Sequence, residues 1–244
     1  MKSKHQELII SIHIPRTGGT SLKAVLAEIY GDRFVWMQQA NSAQEAYEKL
    51  KSVDWHDIQC IHGHIGYGLH NFIPSDISCK YITFLRDPRE RILSLYHFIF
   101  REETYNAYQW GDRCDWKKDV DFLSWLQRKL LAMQDNQMTR FFSEKKRLNT
   151  KAIIKDIDYD DYSLAIANLN RFYFIGATEC LDDCLLKLAA MLGWKELPDV
   201  PKEYSYPDRR HYIDTNDQEK ELIKKTQYYD LLLYDHYART ICKQ

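Results

Sequence analysis

The stretch LIISIHIPRTGGTSLKAVLAEIYG, residues 8–31, decides the architecture. Leu8, Ile9, Ile10, Ile12 and Ile14 form a short, β-branched, apolar run, the pattern of a strand buried on both faces. Pro15 to Gly19 breaks it. Leu22, Val25, Leu26 and Ile29 then recur at i, i+3, i+4 and i+7, which predicts an amphipathic helix. Thr20 or Ser21 is expected to cap its start and Gly31 to end it.

The scheme repeats downstream. Tyr81 to Leu85 reads as a strand, Arg86-Asp87-Pro88 as a turn with Pro88 at the first helical position, and Ile92, Leu95, Tyr96 and Ile99 as the apolar stripe of a helix. Between the two units the sequence predicts a helix over Ala43 to Leu50 and a strand over Gln59 to His64. Beyond them it predicts helices over Phe122 to Met133, Gln137 to Phe142, Leu181 to Leu192 and Gln218 to Tyr237, with one more strand at Phe172 to Ile175. Strands alternating with helices imply an α/β fold with a parallel sheet covered on both faces. Gly193 to Asp214, with Pro198, Pro201 and Pro207, reads as a long surface loop too poor in glycine and serine to be a flexible linker. Residues 1–244 are therefore expected to form one domain.

Composition narrows the function classes. Hydrophobic residues at 45% and charged residues at 28% exclude global disorder. Lysine plus arginine number 34 against 35 acidic residues, a net charge of −1, so a wholesale electrostatic affinity for nucleic acid or anionic membrane is not expected. No stretch approaches the ~20 apolar residues of a membrane span. The polar start, Met1 to Glu7, runs into an apolar segment too short for a secretory leader, which predicts a cytoplasmic protein. Cysteines at 60, 79, 114, 180, 184 and 242 show no CxxC or metal spacing and are expected to be reduced and mostly buried, although Cys180 and Cys184, four apart, leave an intramolecular pair open.

Three clusters carry chemistry. Pro15-Arg16-Thr17-Gly18-Gly19-Thr20-Ser21 joins a strand to a helix N-terminus. There, unpaired N–H groups, two glycines, three hydroxyls and the Arg16 charge make an anion cradle for a phosphate or phosphosulfate. The alternative is a tight turn capped by Thr20. The loop is not GxxxxGK[ST], since no lysine precedes Thr20 or Ser21. Arg86-Asp87-Pro88-Arg89-Glu90-Arg91-Ile92-Leu93-Ser94 places Arg86 at a strand's carboxyl end, where open α/β sheets bind ligands, with Ser94 two turns into the helix. Arg89 and Arg91 are expected to pair with Asp87, Glu90 or Glu102 on a solvated helix face. In Ile61-His62-Gly63-His64-Ile65-Gly66-Tyr67-Gly68-Leu69-His70, the two histidines share one face of a strand. A histidine there suits a general base; a metal-binding pair lacks an evident third ligand, and a hydrogen-bonded structural histidine is the alternative for His62.

Residues 12–22, IHIPRTGGTSL, resemble the 5′-phosphosulfate loop of carbohydrate sulfotransferases related to the heparan sulfate 2-O- and 6-O-sulfotransferases. Residues 82–96, ITFLRDPRERILSLY, resemble their 3′-phosphate segment, and GHIGYGLH, 63–70, is similar to a third family segment. Weaker echoes lie in Asp135 to Arg140, Ile175 to Glu179 and Tyr229-Asp230 with Leu233-Tyr234. The resemblance implies a P-loop-NTPase-like three-layer fold with a central parallel sheet flanked by helices. It implies 3′-phosphoadenosine-5′-phosphosulfate (PAPS) as sulfuryl donor, 3′-phosphoadenosine 5′-phosphate (PAP) as product, and no metal. Arg16, Thr17, Gly18, Gly19, Thr20 and Ser21 would hold the 5′-phosphosulfate, Arg86 and Ser94 the 3′-phosphate, and His64 would take the proton from an acceptor hydroxyl, expected on a glycan or glycoconjugate. The family usually has lysine where this chain has Arg16; arginine stabilises charge on the leaving oxygen but hardly gives up a proton. Two other readings stay open: a P-loop kinase, disfavoured by the missing Walker lysine, and a non-catalytic PAP- or PAPS-binding module. Tyr67, His70, Trp110, Trp116, Arg140 and the loop Tyr204 to Tyr212 are candidates to line the acceptor site, and Arg209, Arg210 and His211 either close over the nucleotide, meet an acidic acceptor or form a solvated basic turn.

Overall fold

The computed structural model describes residues 6–38, 40, 42–108, 117–129, 131–143, 156–199 and 209–242. The strands are β1 (Gln6–Ile12), β2 (Phe34–Met37), β3 (Cys60–Gly63), β4 (Ile77–Leu85) and β5 (Phe174–Ala177). They form a sheet ordered β2-β3-β1-β4-β5, parallel at every pairing. The helices among the described residues are α1 (Gly19–Tyr30), α2 (Ala43–Leu50), α3 (Pro88–Phe100), α4 (Glu102–Ala107), α5 (Phe122–Arg128), α6 (Gln137–Phe142), α7 (Tyr159–Leu169), α8 (Leu181–Leu192), α9 (Asp217–Thr226) and α10 (Tyr228–Ile241). None is long and apolar enough to cross a membrane.

A parallel sheet needs cover on both faces, and β1 shows why its sequence is almost continuously apolar. Leu8, Ile10 and Ile12 enter one core with residues of α2, α6, α7 and α10, whereas Ile9 enters another with Leu22 and Leu26 of α1 and Leu185 and Leu188 of α8. Each such side chain, at 3% exposure or less, contributes roughly 1.5–3 kcal/mol through burial. A third apolar cluster joins α3, α5 and α9 around Trp125. This is the expected α/β architecture of a central parallel sheet between helical layers.

Local expectations meet several corrections. β1 stops at Ile12, not Ile14, although His13 still donates to the Gly63 carbonyl at 2.8 Å. Neither Thr20 nor Ser21 caps α1: the helix begins at Gly19, so both already lie in its first turn, and Gly18 at φ 76° is the cap residue. The helix expected over Phe122 to Met133 ends at Arg128, because Lys129 turns left-handed at φ 43°. The one expected over Gln218 to Tyr237 is two helices, α9 and α10, broken at Gln227 (φ −113°, ψ 21°). The last strand runs two residues later than expected. The short edge strand β2 and the helices α4 and α7 carry no clear periodicity and escape the sequence reading.

Candidate functional site

β3, β1 and β4 are neighbours, and Ile12 at the end of β1 faces Gly63 on one side and Thr83 on the other. Parallel pairing therefore brings the three segments that follow these strands to one edge of the sheet. These are the three stretches singled out from the sequence.

The first loop is held from below. Thr17 Oγ1 donates to the Ile14 carbonyl at 2.9 Å, so this hydroxyl is spent on the loop itself. Thr83 Oγ1 donates to the Ile12 carbonyl at 2.9 Å, and Arg86 Nη1 donates to the Arg16 carbonyl at 3.0 Å. Arg16 and Gly18 are both left-handed, at φ 73° and 76°. Such residues turn backbone N–H groups into a concave anion nest. Gly19 admits no side chain: a Cβ there would fall 1.9 Å from His13 Nε2. Thr20 is exposed and Ser21 buried on α1.

The second loop starts α3. Asp87 caps the helix by accepting from the Arg89 N–H at 2.9 Å, and its carboxylate pairs with the Arg89 guanidinium at 2.5 Å, as expected. Arg91 departs from expectation. It is fully buried, donating to Gln137 Oε1 at 2.6 Å and Gln227 Oε1 at 3.0 Å, and desolvation pushes it down to about 10. Position explains this: Arg91 points into the junction with α6 and α10, not to solvent. Burial, and then the nearby Arg209 charge, push Arg86 down to about 10 as well. The two phosphate candidates meet directly, since Arg16 Nε donates to Ser94 Oγ at 3.1 Å and the Arg16 guanidinium lies 4.8 Å from the Phe98 ring centre.

The third segment is a histidine stack. The His13 ring lies between His62 and His64, with centroids 5.2 and 4.5 Å away. His62 is wholly buried between Ser11 Oγ at 2.8 Å and the Gly19 carbonyl at 3.2 Å. A carbonyl only accepts, so Nε2 carries the proton and Nδ1 accepts from Ser11. Burial, reinforced by His64, pushes His62 down to about 3, leaving a neutral tether between β3 and the first turn of α1. His64 is half-buried and its Nδ1 donates to the His13 carbonyl at 2.9 Å. The same logic makes Nε2 the basic nitrogen of His64.

The sequence reading missed three neighbours. His13 interrupts the apolar run between Ile12 and Ile14, a signal that was present. Trp36 of β2 packs 5.4 Å from His62 and 5.9 Å from His64, and Lys23 places its ammonium 4.4 Å from the Trp36 ring centre. No local pattern marked either.

Of the other candidates, Arg209 lies close enough to Arg86 to act on its charge. Tyr67 is 5% exposed and packs on Tyr81 and Phe172, and Arg140 is 2% exposed and ion-paired with Asp135 at 2.5 Å. Tyr67 also lines a cavity of about 230 Å³ with Ser42, Gln44 and Asn71, whereas Arg140 is enclosed by its ion pair. His70 holds the Tyr81 hydroxyl at 3.1 Å. Trp110, Trp116 and residues 204–208 lie outside the described residues. Arg209 donates to Glu90 at 2.9 Å, His211 lies 3.0 Å from the same carboxylate, and Arg210 pairs with Glu219, so the basic turn is pinned to α3 and α9. Among the described residues no group of three or more His, Cys, Asp or Glu side chains is arranged to hold a metal ion.

The weaker sequence echoes form a junction of helices. Asp230 accepts from the Met138 and Thr139 N–H groups at 2.9 and 2.8 Å and so caps α6 from α10. Asn136 returns the favour, its Oδ1 accepting from Tyr229 and Asp230 N–H at 2.8 and 3.1 Å. Burial pushes the Asp230 carboxyl up, against the pull of Arg91 and these donors. The cysteines hold a further correction: Cys180 and Cys242 are disulfide-bonded, 62 residues apart in sequence, while Cys60, Cys79 and Cys184 are free. Only the topology, which lays the end of α10 against the turn after β5, brings that pair together.

A model described as the sulfotransferase family matches residues 1–239. Curated proteins give no match. Among solved structures, mouse sulfotransferase SULT7A1 complexed with PAP is similar at 16% identity and a TM-score of 0.41, over 94% of this chain and 67% of that one. With nearly its whole length matched by the family model, the chain belongs to the sulfotransferase family and is a PAPS-dependent sulfotransferase.

Proposed function

We propose that the enzyme moves the sulfuryl group of PAPS to a carbohydrate hydroxyl, with His64 as general base, and that residues 1–244 act as one catalytic domain. The observation that carries this reading is the His64 hydrogen bond. With Nδ1–H committed to the His13 carbonyl at 2.9 Å, Nε2 carries the lone pair, one residue past the end of β3 and beside the anion loop.

The residues present suit a donor with an anion at each end of its ribose. Backbone N–H groups of Arg16 to Ser21, the start of α1 and the Arg16 guanidinium receive the 5′-phosphosulfate. Arg86 and Ser94 receive the 3′-phosphate, and Arg209 adds charge close to Arg86. The close seat of His13 on Gly19 explains why the loop needs glycine there. His64 accepts the acceptor proton as its oxygen attacks sulfur, the sulfur–oxygen bond to the 5′-phosphate breaks, and negative charge collects on that phosphate. Arg16 meets this charge electrostatically, because a guanidinium does not release its proton at neutral pH. Positioning and charge stabilisation supply the acceleration.

The test is incubation of the full chain with radiolabelled donor and a panel of glycans and small alcohols. Label transferred to a glycan hydroxyl is the expected result. No transfer to any sugar, or no heat on mixing with PAP, overturns the reading.

A further inference from the structure

Three cysteines meet at the start of α8. Cys180 closes the 3-10 turn Thr178–Cys180 and is bonded to Cys242, just past α10, with the Cα atoms 5.7 Å apart. Cys184 sits in the first turns of α8. Its Sγ lies 3.7 Å from Cys180 Sγ, which is van der Waals contact for two sulfurs, and it accepts from the Ala177 N–H at 3.4 Å. The three differ in access: Cys242 is exposed, Cys180 half-buried and Cys184 buried.

A free thiol touching one sulfur of a disulfide is the starting arrangement for exchange. Burial pushes the Cys184 thiol up, and the Ala177 N–H donating to its sulfur pulls the other way, so it is the sulfur–sulfur contact that sets up the exchange. We propose that this cluster is a thiol–disulfide exchange site in which Cys184 displaces Cys242 from Cys180, releasing the end of α10 and altering the grip on the donor nucleotide. The Cys184 thiolate attacks Cys180 Sγ. The Cys180–Cys184 bond forms, the Cys180–Cys242 bond breaks, and Cys242 leaves as a thiolate that takes up the proton Cys184 lost. One disulfide replaces another, so no oxidant or reductant is consumed. The exposed Cys242 end also gives a soluble dithiol access: it reduces the bond and becomes a disulfide itself.

The link to the nucleotide runs through residues 178–181. Thr178 Oγ1 donates to the Leu85 carbonyl at 2.9 Å, and Glu179 accepts from the Asp87 N–H at 2.8 Å, so this turn braces the start of the Arg86 loop. Leu181 and Thr178 also pack on Gly18, 3.6 and 3.7 Å from where a Cβ would stand. One short segment thus touches both anion loops and carries the exchanging sulfur.

The test uses the oxidised full chain, alkylated with N-ethylmaleimide and digested with trypsin. Cys180 and Cys184 fall in one peptide, 172–187, and Cys242 in another, 240–243. A fraction of chains should show the first peptide lighter by two hydrogens and the second alkylated. Cys184→Ser should abolish both signals and keep the cross-link to Cys242. Cys242→Ser, treated with oxidised glutathione, should close the Cys180–Cys184 bond. If neither wild type nor Cys242→Ser yields the lighter peptide, the exchange site is overturned. The coupling rests on the donor reading above and has its own readout: PAP affinity should differ about fivefold between oxidised Cys242→Ser and Cys184→Ser, the low end of site-to-site coupling. Equal affinities overturn the coupling alone. Absence of PAP binding in every form strikes the donor reading and leaves the peptide result standing.

Discussion

At the carboxyl edge of β3, β1 and β4, polar side chains gather from three separate loops around backbone held in left-handed turns. Arg16, Arg86 and His64 are all half-buried there, and their anchoring bonds run to carbonyls and a hydroxyl. At the junction of α3, α6, α9 and α10 the same residue types are fully enclosed. Arg91, Asp135, Arg140, Gln227 and Asp230 are each 3% exposed or less, and their bonds run to one another and to helix ends. Both regions look like motifs in the sequence. The difference teaches that a polar motif becomes a candidate site when its groups stay half-open at the end of the sheet, and a clasp when helices enclose them on every side.

The comparison breaks most readily at His64. His64→Ala is expected to lower kcat by about 10²- to 10⁴-fold, the usual worth of a general base, with PAP affinity and urea midpoint unchanged. Steady-state kinetics and calorimetry check this. An equal loss of PAP affinity would mean that His64 belongs to the clasp kind of residue after all.

Asp230→Ala is the mirror experiment. It strips the cap from Met138 and Thr139, leaves two amides and the Thr139 hydroxyl without their buried acceptor, and removes the carboxylate whose field supports the buried Arg91 charge. Breaking a buried charge arrangement from one side costs about 3–5 kcal/mol, read as a fall in urea midpoint. PAP affinity of the molecules that remain folded should hold. A loss below ~1 kcal/mol would show that the junction is not what locks α6 to α10.

The two regions were unequally legible in sequence. The site edge was readable because its logic is local: a β-branched run, a proline-glycine break and an i, i+3, i+4 stripe each fit within a few residues, and parallel pairing then forces the loops together. Arg16, Arg86, Ser94 and His64 follow from that. The junction is written in pairs such as Arg91 with Gln227 and Asn136 with Tyr229, which lie 136 and 93 residues apart, so no window of sequence contains them. Arg91 was therefore misread as a surface residue, and the break at Gln227 was invisible, since the partner that its side chain reaches there, the Gln134 carbonyl at 2.7 Å, lies 93 residues away. Cys180 and Cys242 fail for the same reason. His13 failed differently: a lone polar residue in an apolar run was visible and passed over.

His62 bridges the two classes, being enclosed like the junction yet tied to the anion loop. Its folded pKa of about 3 lies below the ordinary 6.5, so between those values the unfolded chain holds a proton the native state refuses. The stability it protects is complete above pH 6.5 and falls as the pH drops toward 3, by up to ~1.4 kcal/mol per pH unit. His62→Gln retains an amide donor for the Gly19 carbonyl and cannot titrate. Urea melts across that window should be flatter for the variant than for wild type; parallel curves would show that His62 is protonated in the native state.

The smallest expected effect sharpens the comparison most finely. Arg16 is the edge residue most like a clasp, because its Nε holds Ser94 at 3.1 Å and its fork lies over Phe98. Arg16→Lys keeps the charge and loses that directed hydrogen bond, worth about 1 kcal/mol, so PAP affinity should weaken about fivefold. An ammonium, unlike a guanidinium, can release a proton to the leaving phosphate, so kcat should hold or rise. In a Ser94→Ala background the affinity loss should shrink, since the partner is already gone. A kcat falling tenfold in Arg16→Lys would mean that the planar fork itself, and not charge alone, meets the negative charge that collects on the leaving phosphate.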